Sequence, residues 1–104
     1  KTFGGAILWE GVNGTIEGSQ FNENDAKSNG GAIYVNQPNL IINQSNFTKN
    51  TASNRAGAIY ITTDNVTVTN SEFYRNHATE SGAVEIYGRN NEYCVGFNSR
   101  NQLY

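Results

Sequence analysis

Apolar residues along this chain fall into short alternating runs. Ile33 and Val35 flank Tyr34, Ile59 and Ile61 flank Tyr60, Val84 and Ile86 flank Glu85, and Ile7-Leu8-Trp9 opens the series. Alternation is the period of a half-buried strand, because successive strand side chains point to opposite faces. The pattern therefore predicts a strand in which Ile7, Ile33, Ile59 and Val84 face inwards, as do Trp9, Val35, Ile61 and Ile86 two residues later. Leu8, Tyr34, Tyr60 and Glu85 are expected to face solvent. A second strand is predicted at Leu40-Ile41-Ile42 and Val66-Thr67-Val68, with Ile42 and Val68 stacked over Ile16 and with Gly14 interrupting the first copy. A third carries Phe21, Phe47 and Phe73, preceded two residues earlier by Ser19, Ser45 and Ser71.

These runs recur with a fixed stride. Gly30-Gly31-Ala32-Ile33 has counterparts in Gly4-Gly5-Ala6-Ile7, Ala56-Gly57-Ala58-Ile59 and Ser81-Gly82-Ala83-Val84, and Phe47 to Asn50 has counterparts in Phe21 to Asn24 and Phe73 to Asn76. The second glycine steps evenly from Gly5 to Gly31 to Gly57, then one residue short to Gly82, and the phenylalanines keep the same even stride. A constant period of this length signals stacked units that each contact only their neighbours. With no helical spacing inside it, the unit suits one turn of a parallel β-helix. The expected fold is all-β: a single domain over residues 1–104, a right-handed parallel β-helix of about four coils at 4–29, 30–55, 56–80 and 81–104.

Stacking in register turns each repeated residue into a column. Phe21, Phe47 and Phe73 then form an interior ring stack, and Asn24, Asn50 and Asn76 an internal amide ladder at a turn, since Asn tolerates left-handed backbone and amides can bond from coil to coil. Asn13, Asn39 and Asn65 read as loop turn residues. The fourth coil departs from the pattern: Phe97 follows Gly82 one place sooner than Phe47 follows Gly31, and Asn101 comes four residues further on instead of three.

Composition narrows the function. Seven basic against nine acidic side chains give a net charge of −2, without the basic stripe that nucleic acid requires. No apolar run approaches the ~20 residues that span a bilayer, so no membrane insertion is expected in this segment. Cys94 is the single cysteine, which excludes an internal disulfide, and a buried apolar role is expected for it. Glu10, Glu17, Glu23, Asp25, Asp64, Glu72, Glu80, Glu85 and Glu92 are scattered over different columns, so neither a paired-carboxylate hydrolase site nor a calcium site is expected. His77, the only histidine, reads as a solvated turn residue. No catalytic residue, cofactor or metal is expected, and the chain is not expected to be an enzyme.

Four N-x-[ST] sequons occur, at Asn13, Asn43, Asn46 and Asn65. Each is a glycan acceptor only in an exported, exposed setting. Asn13 and Asn65 share a loop column and are the better candidates. Tyr34, Tyr60 and Tyr74 read as outward aromatics that either shield a sheet face or stack on sugars.

With its GGA-[ILV] and Phe-x-x-Asn motifs paired at one constant spacing, the chain resembles the repeats of chlamydial polymorphic outer-membrane proteins and those of adhesin-like surface proteins of methanogenic archaea. The resemblance implies a right-handed β-helix displayed at a cell surface, extracellular, acting in adhesion or as a structural stalk. Its ends complement one another: placing Tyr104 before Lys1 makes the step from Gly82 to the next Gly5 only one residue longer than the step from Gly5 to Gly31. End-to-end self-association, as a filament or a longer repeat array, is therefore expected, with host-surface or cell-wall glycans as further partners. The alternative expectation is a carbohydrate-binding or carbohydrate-active β-helix.

Overall fold

The computed structural model describes residues 3–11, 13–80 and 82–88 with their side chains, and residues 92–94, 97–99 and 102–103 as backbone strands. The first turn contributes β1 (Ile7–Trp9), β2 (Thr15–Glu17), β3 (Gln20–Asn22) and β4 (Asp25–Ala26). The second contributes β5 (Ile33–Val35), β6 (Ile41–Asn43), β7 (Asn46–Thr48) and β8 (Thr51–Ala52), and the third β9 (Ile59–Ile61), β10 (Thr67–Thr69), β11 (Glu72–Tyr74) and β12 (His77–Ala78). Strands β13 (Val84–Ile86), β14 (Glu92–Cys94), β15 (Phe97–Ser99) and β16 (Gln102–Leu103) belong to a fourth. Each strand pairs only with its counterparts in adjacent turns, in parallel, giving four sheets that run along one axis in the orders β1-β5-β9-β13, β2-β6-β10-β14, β3-β7-β11-β15 and β4-β8-β12-β16. The fold is a parallel β-solenoid whose turn is the stride from Ile7 to Ile33 to Ile59. Three turns are described almost throughout, and the fourth mainly by its strands.

Single left-handed residues bend the chain between sheets. They stack in columns: Asn13, Asn39 and Asn65; Gly18, Gln44 and Asn70; Glu23, Lys49 and Arg75; and Gly4, Gly30 and Ala56, with φ between 49° and 68°. The first column is the loop asparagines that the sequence marked as turns. The corner at the amide ladder is made differently from expectation. Its left-handed residue is Glu23, Lys49 or Arg75, one position before Asn24, Asn50 and Asn76, which leaves the asparagine side chain to turn inwards.

The interior is a set of straight columns. Phe21, Phe47 and Phe73 stack with centroids 4.8 Å apart and planes within 4°. Each buried ring contributes about 1.5–3 kcal/mol from burial, and offset stacking adds about 0.5–1.5 kcal/mol. Beside them lie Ile33, Val35, Ile59 and Ile61 from the first sheet and Ile42 and Val68 from the second, all fully buried. Gly14 is explained by its neighbour: a Cβ there would lie 1.9 Å from Trp9 Cζ2. The Trp9 indole occupies the space that Leu40 and Val66, the fully buried counterparts of Gly14, fill in later turns. Rung one is thus Trp with Gly where rung two is Val35 with Leu40.

The period shortens at one place. Thr51 pairs with His77 at the full stride, but Arg55 pairs with Glu80 at a stride one residue shorter, so the missing residue falls in the corner between them. Strands β13 to β16 keep the shorter offset throughout. At that offset the residue opposite Phe73 is Asn98, and Phe97, which follows Gly82 one place early, stands opposite Glu72. The backbone register therefore bears out the departure of the fourth coil from the phenylalanine column. Asn101, Lys1 and Tyr104 lie outside the described residues, as do the side chains of Phe97, Glu92 and Cys94.

Candidate functional site

The asparagine column forms the internal ladder that the sequence suggested. Asn50 Nδ2 donates to Asn76 Oδ1 at 2.9 Å and also to the Phe21 carbonyl at 2.9 Å, while Asn50 Oδ1 accepts from the Asn24 amide nitrogen and side chain, each at 2.9 Å. Asn76 repeats the contact one turn on, donating to the Phe47 carbonyl at 2.9 Å. Both ladder ends of the Asn50 amide are therefore satisfied in a fully buried site. A serine ladder accompanies it. The Ser19 and Ser45 backbone N–H groups donate to the hydroxyls of Ser45 and Ser71, at 3.3 and 3.2 Å, and those hydroxyls donate to the carbonyls of Asn43 and Thr69. Sequence marked the serine column without this role; its recurrence two positions before each Phe was the signal. Both ladders are structural.

The four sequons are placed very differently. Asn13 and Asn65 are exposed at left-handed corners. Asn43 Oδ1 accepts from Thr69 Oγ1 at 3.1 Å and Asn70 Nδ2 at 3.2 Å, and its sequon partner Ser45 is fully buried. Asn46 is half-buried on the outward side of β7, level with Thr48. The structure does not bring the four together.

Outward residues of the first sheet form a closed aromatic spine, not an open row. Phe3, Tyr34, Tyr60 and Tyr87 contact in succession, with centroids 4.8, 5.3 and 5.7 Å apart. Tyr60 is only 7% exposed, which corrects its reading as a solvent-facing aromatic. The physical reason is cover from neighbouring columns: Arg55 arrives beside Tyr60 from the corner before the strand, and Tyr87 packs on its ring from the loop after it. Arg55 donates to the Tyr87 hydroxyl, lies 5.7 Å from its ring centroid, and approaches Glu85 at 3.6 Å and Glu80 at 3.8 Å. Tyr87 in turn donates to Glu85, and this bond, followed by burial, pushes its phenol above the ordinary pKa. These groups serve one another.

Among the described residues, concavities open on the fourth and third sheets. Asp25, Thr51 and His77 stand in line on the outer side of the fourth sheet and, with Ala52 and Ser53, border an open groove of about 330 Å³. Among the described residues no three His, Cys, Asp or Glu side chains converge as metal ligands would. On the third sheet Asn46, Thr48, Glu72 and Tyr74 border a groove of about 410 Å³. Alternation in β7 and β11 puts all four outward, with Asn46 opposite Glu72 and Thr48 opposite Tyr74. Sequence reasoning treated Asn46 only as a sequon and Glu72 only as a scattered carboxylate. The missed signal was that both flank a core Phe at the same column.

Two stretches of the chain, residues 18–36 and 44–62, match the family model of the Chlamydia polymorphic membrane protein repeat. They lie one structural turn apart, and each runs from one Phe-x-x-Asn corner through the next Gly-Ala-Ile strand, so the matched unit has the phase of the solenoid turn. No curated protein and no solved structure matches the chain.

Proposed function

We propose that this chain is a repeat segment of a cell-surface, adhesin-like protein, a stiff β-helical spacer that acts by contact and not by catalysis. The observation that supports it is the coincidence of the two family-matched stretches with successive turns of one solenoid. The likeness to archaeal adhesin-like proteins is another form of the same reading. Latex beads coated with the purified chain should attach to cultured epithelial cells above albumin-coated beads; equal attachment would overturn the adhesive reading. Incubation with pectin, alginate or hyaluronan should release no new chain ends, and their appearance would remove the non-catalytic part.

Self-association belongs to the same proposal. β1 to β4 are the edge strands of their sheets, and the edge they present is the one by which each inner turn holds the turn before it. A further turn, from the same polypeptide or a second copy, would pair there in register. A filament would show an axial rise of about 4.8 Å per turn. Sedimentation as a monomer at all concentrations would exclude the filament form.

A further inference from the structure

Several outward polar side chains of this solenoid are spent on one another. Asn43 is bonded by Thr69 and Asn70, Asn36 donates to Glu10, and Arg55 gathers Glu80, Glu85 and Tyr87. On the third sheet three that share one groove are not. Among the described residues no hydrogen bond or ion pair engages the side chains of Asn46, Thr48 or Glu72, although the three border one groove. The fourth wall is Tyr74, half-buried, with the Arg75 guanidinium 5.1 Å from its ring centroid.

The set has a chemical sense. An amide and a hydroxyl can each donate and accept, a carboxylate accepts two bonds, and a phenol ring offers an apolar wall with a polar tip. Matching donors, acceptors and a C–H face at once is what a sugar ring demands. The carboxylate inside the groove disfavours an anionic ligand, and the aligned columns Gln20-Asn46-Glu72 and Asn22-Thr48-Tyr74 lead along the axis, as an extended ligand would lie. We propose that this groove is a subsite for an uncharged oligosaccharide laid across the second and third turns. The aromatic spine of the first sheet offers no equivalent, because its rings cover one another.

This proposal rests on the adhesive reading and gives it a ligand class. The test is to titrate chitotriose, mannotriose and lactose, each up to its solubility, into isotope-labelled protein and follow the amide resonances. At least one sugar should shift Asn46, Thr48, Glu72 and Tyr74 while leaving the first sheet unmoved, and a heparin disaccharide should not. Glu72→Gln and Tyr74→Ala should each weaken binding about tenfold, the size of one lost charged hydrogen bond or ring contact, without lowering the melting temperature. Tyr87→Phe, on the other face, should bind as the parent does. Absence of groove shifts with all three sugars, or shifts that survive both substitutions, would overturn the subsite. Bead attachment without sugar shifts would sink the subsite and leave the adhesive reading standing; sugar shifts without attachment would do the reverse.

Discussion

Two adjacent glycines open each of the first two described turns, and they are there for different physical reasons. Gly30 has φ +68°, and a Cβ there would meet the Ile33 carbonyl oxygen of its own corner at 2.4 Å, whereas Gly31 has ordinary φ but its Cβ would sit 2.0 Å from the Gly57 carbonyl oxygen and 2.5 Å from that of Thr51. Both obstacles to the Gly31 Cβ are backbone, Gly57 in the next turn and Thr51 across the same one, and each is tied into the sheet pairing. Ala56, with φ 59°, shows that the first position tolerates a methyl. Gly30→Ala should therefore cost roughly 1–2 kcal/mol, the left-handed penalty, while Gly31→Ala should cost about 3 kcal/mol or more, at or beyond the upper end of overpacking. Urea melts of the two variants would check the order; equal losses would refute the distinction. Tyr87 supplies a residue-level pH prediction. A phenol whose folded pKa is raised adds stability that is present below its unfolded pKa and is lost as pH rises through the folded one. Thermal stability should fall on the alkaline side of ordinary phenol titration, and Tyr87→Phe should flatten that part of the profile.

At the scale of the strand, what was legible in the sequence was whatever recurred. Alternation found the inward faces of β5 and β9, and the stride found the phenylalanine and asparagine columns. What single-column reasoning could not see was compensation between columns. Trp9 and Gly14 read as a core residue and an interruption, yet they are one packing unit, large with small, exchanging volume with Val35 and Leu40. Gly14→Leu alone should be strongly destabilising, because the new side chain enters the indole. The double variant Trp9→Val with Gly14→Leu should recover most of the loss, with a coupling of about 1–3 kcal/mol in a thermodynamic cycle. It also removes the Trp9 Nε1 donor, which is buried without a partner among the described residues. Additive losses would show the two sites to be independent. The aromatic spine failed to be legible for a related reason: Tyr60 is covered by Phe3's column and by Tyr87, residues that the alternation of its own strand does not contain.

Across the whole molecule, each turn is held only by the turns beside it, so stability should behave as a chain of nearest-neighbour terms. Excising residues 31–56, one full stride, would join Gly30 to Gly57 and leave every column intact. That shortened chain should keep the parent's far-ultraviolet circular dichroism and unfold in a single transition at a lower temperature. Deleting Val68 alone should abolish that transition, because it reverses the facing of the rest of β10. The fourth turn displays the arithmetic: a residue lost in the corner between His77 and Glu80 is absorbed there and leaves β13 in register with β9, whereas Phe97, one place early within its own turn, falls opposite Glu72. In-register pairing therefore makes copy number an inheritable dial. Unequal recombination between two repeats, wherever the crossover falls, gains or drops whole turns without a mismatched seam, so a lineage can lengthen or shorten the reach of such a protein in single genetic steps while point changes go on rewriting its outer faces.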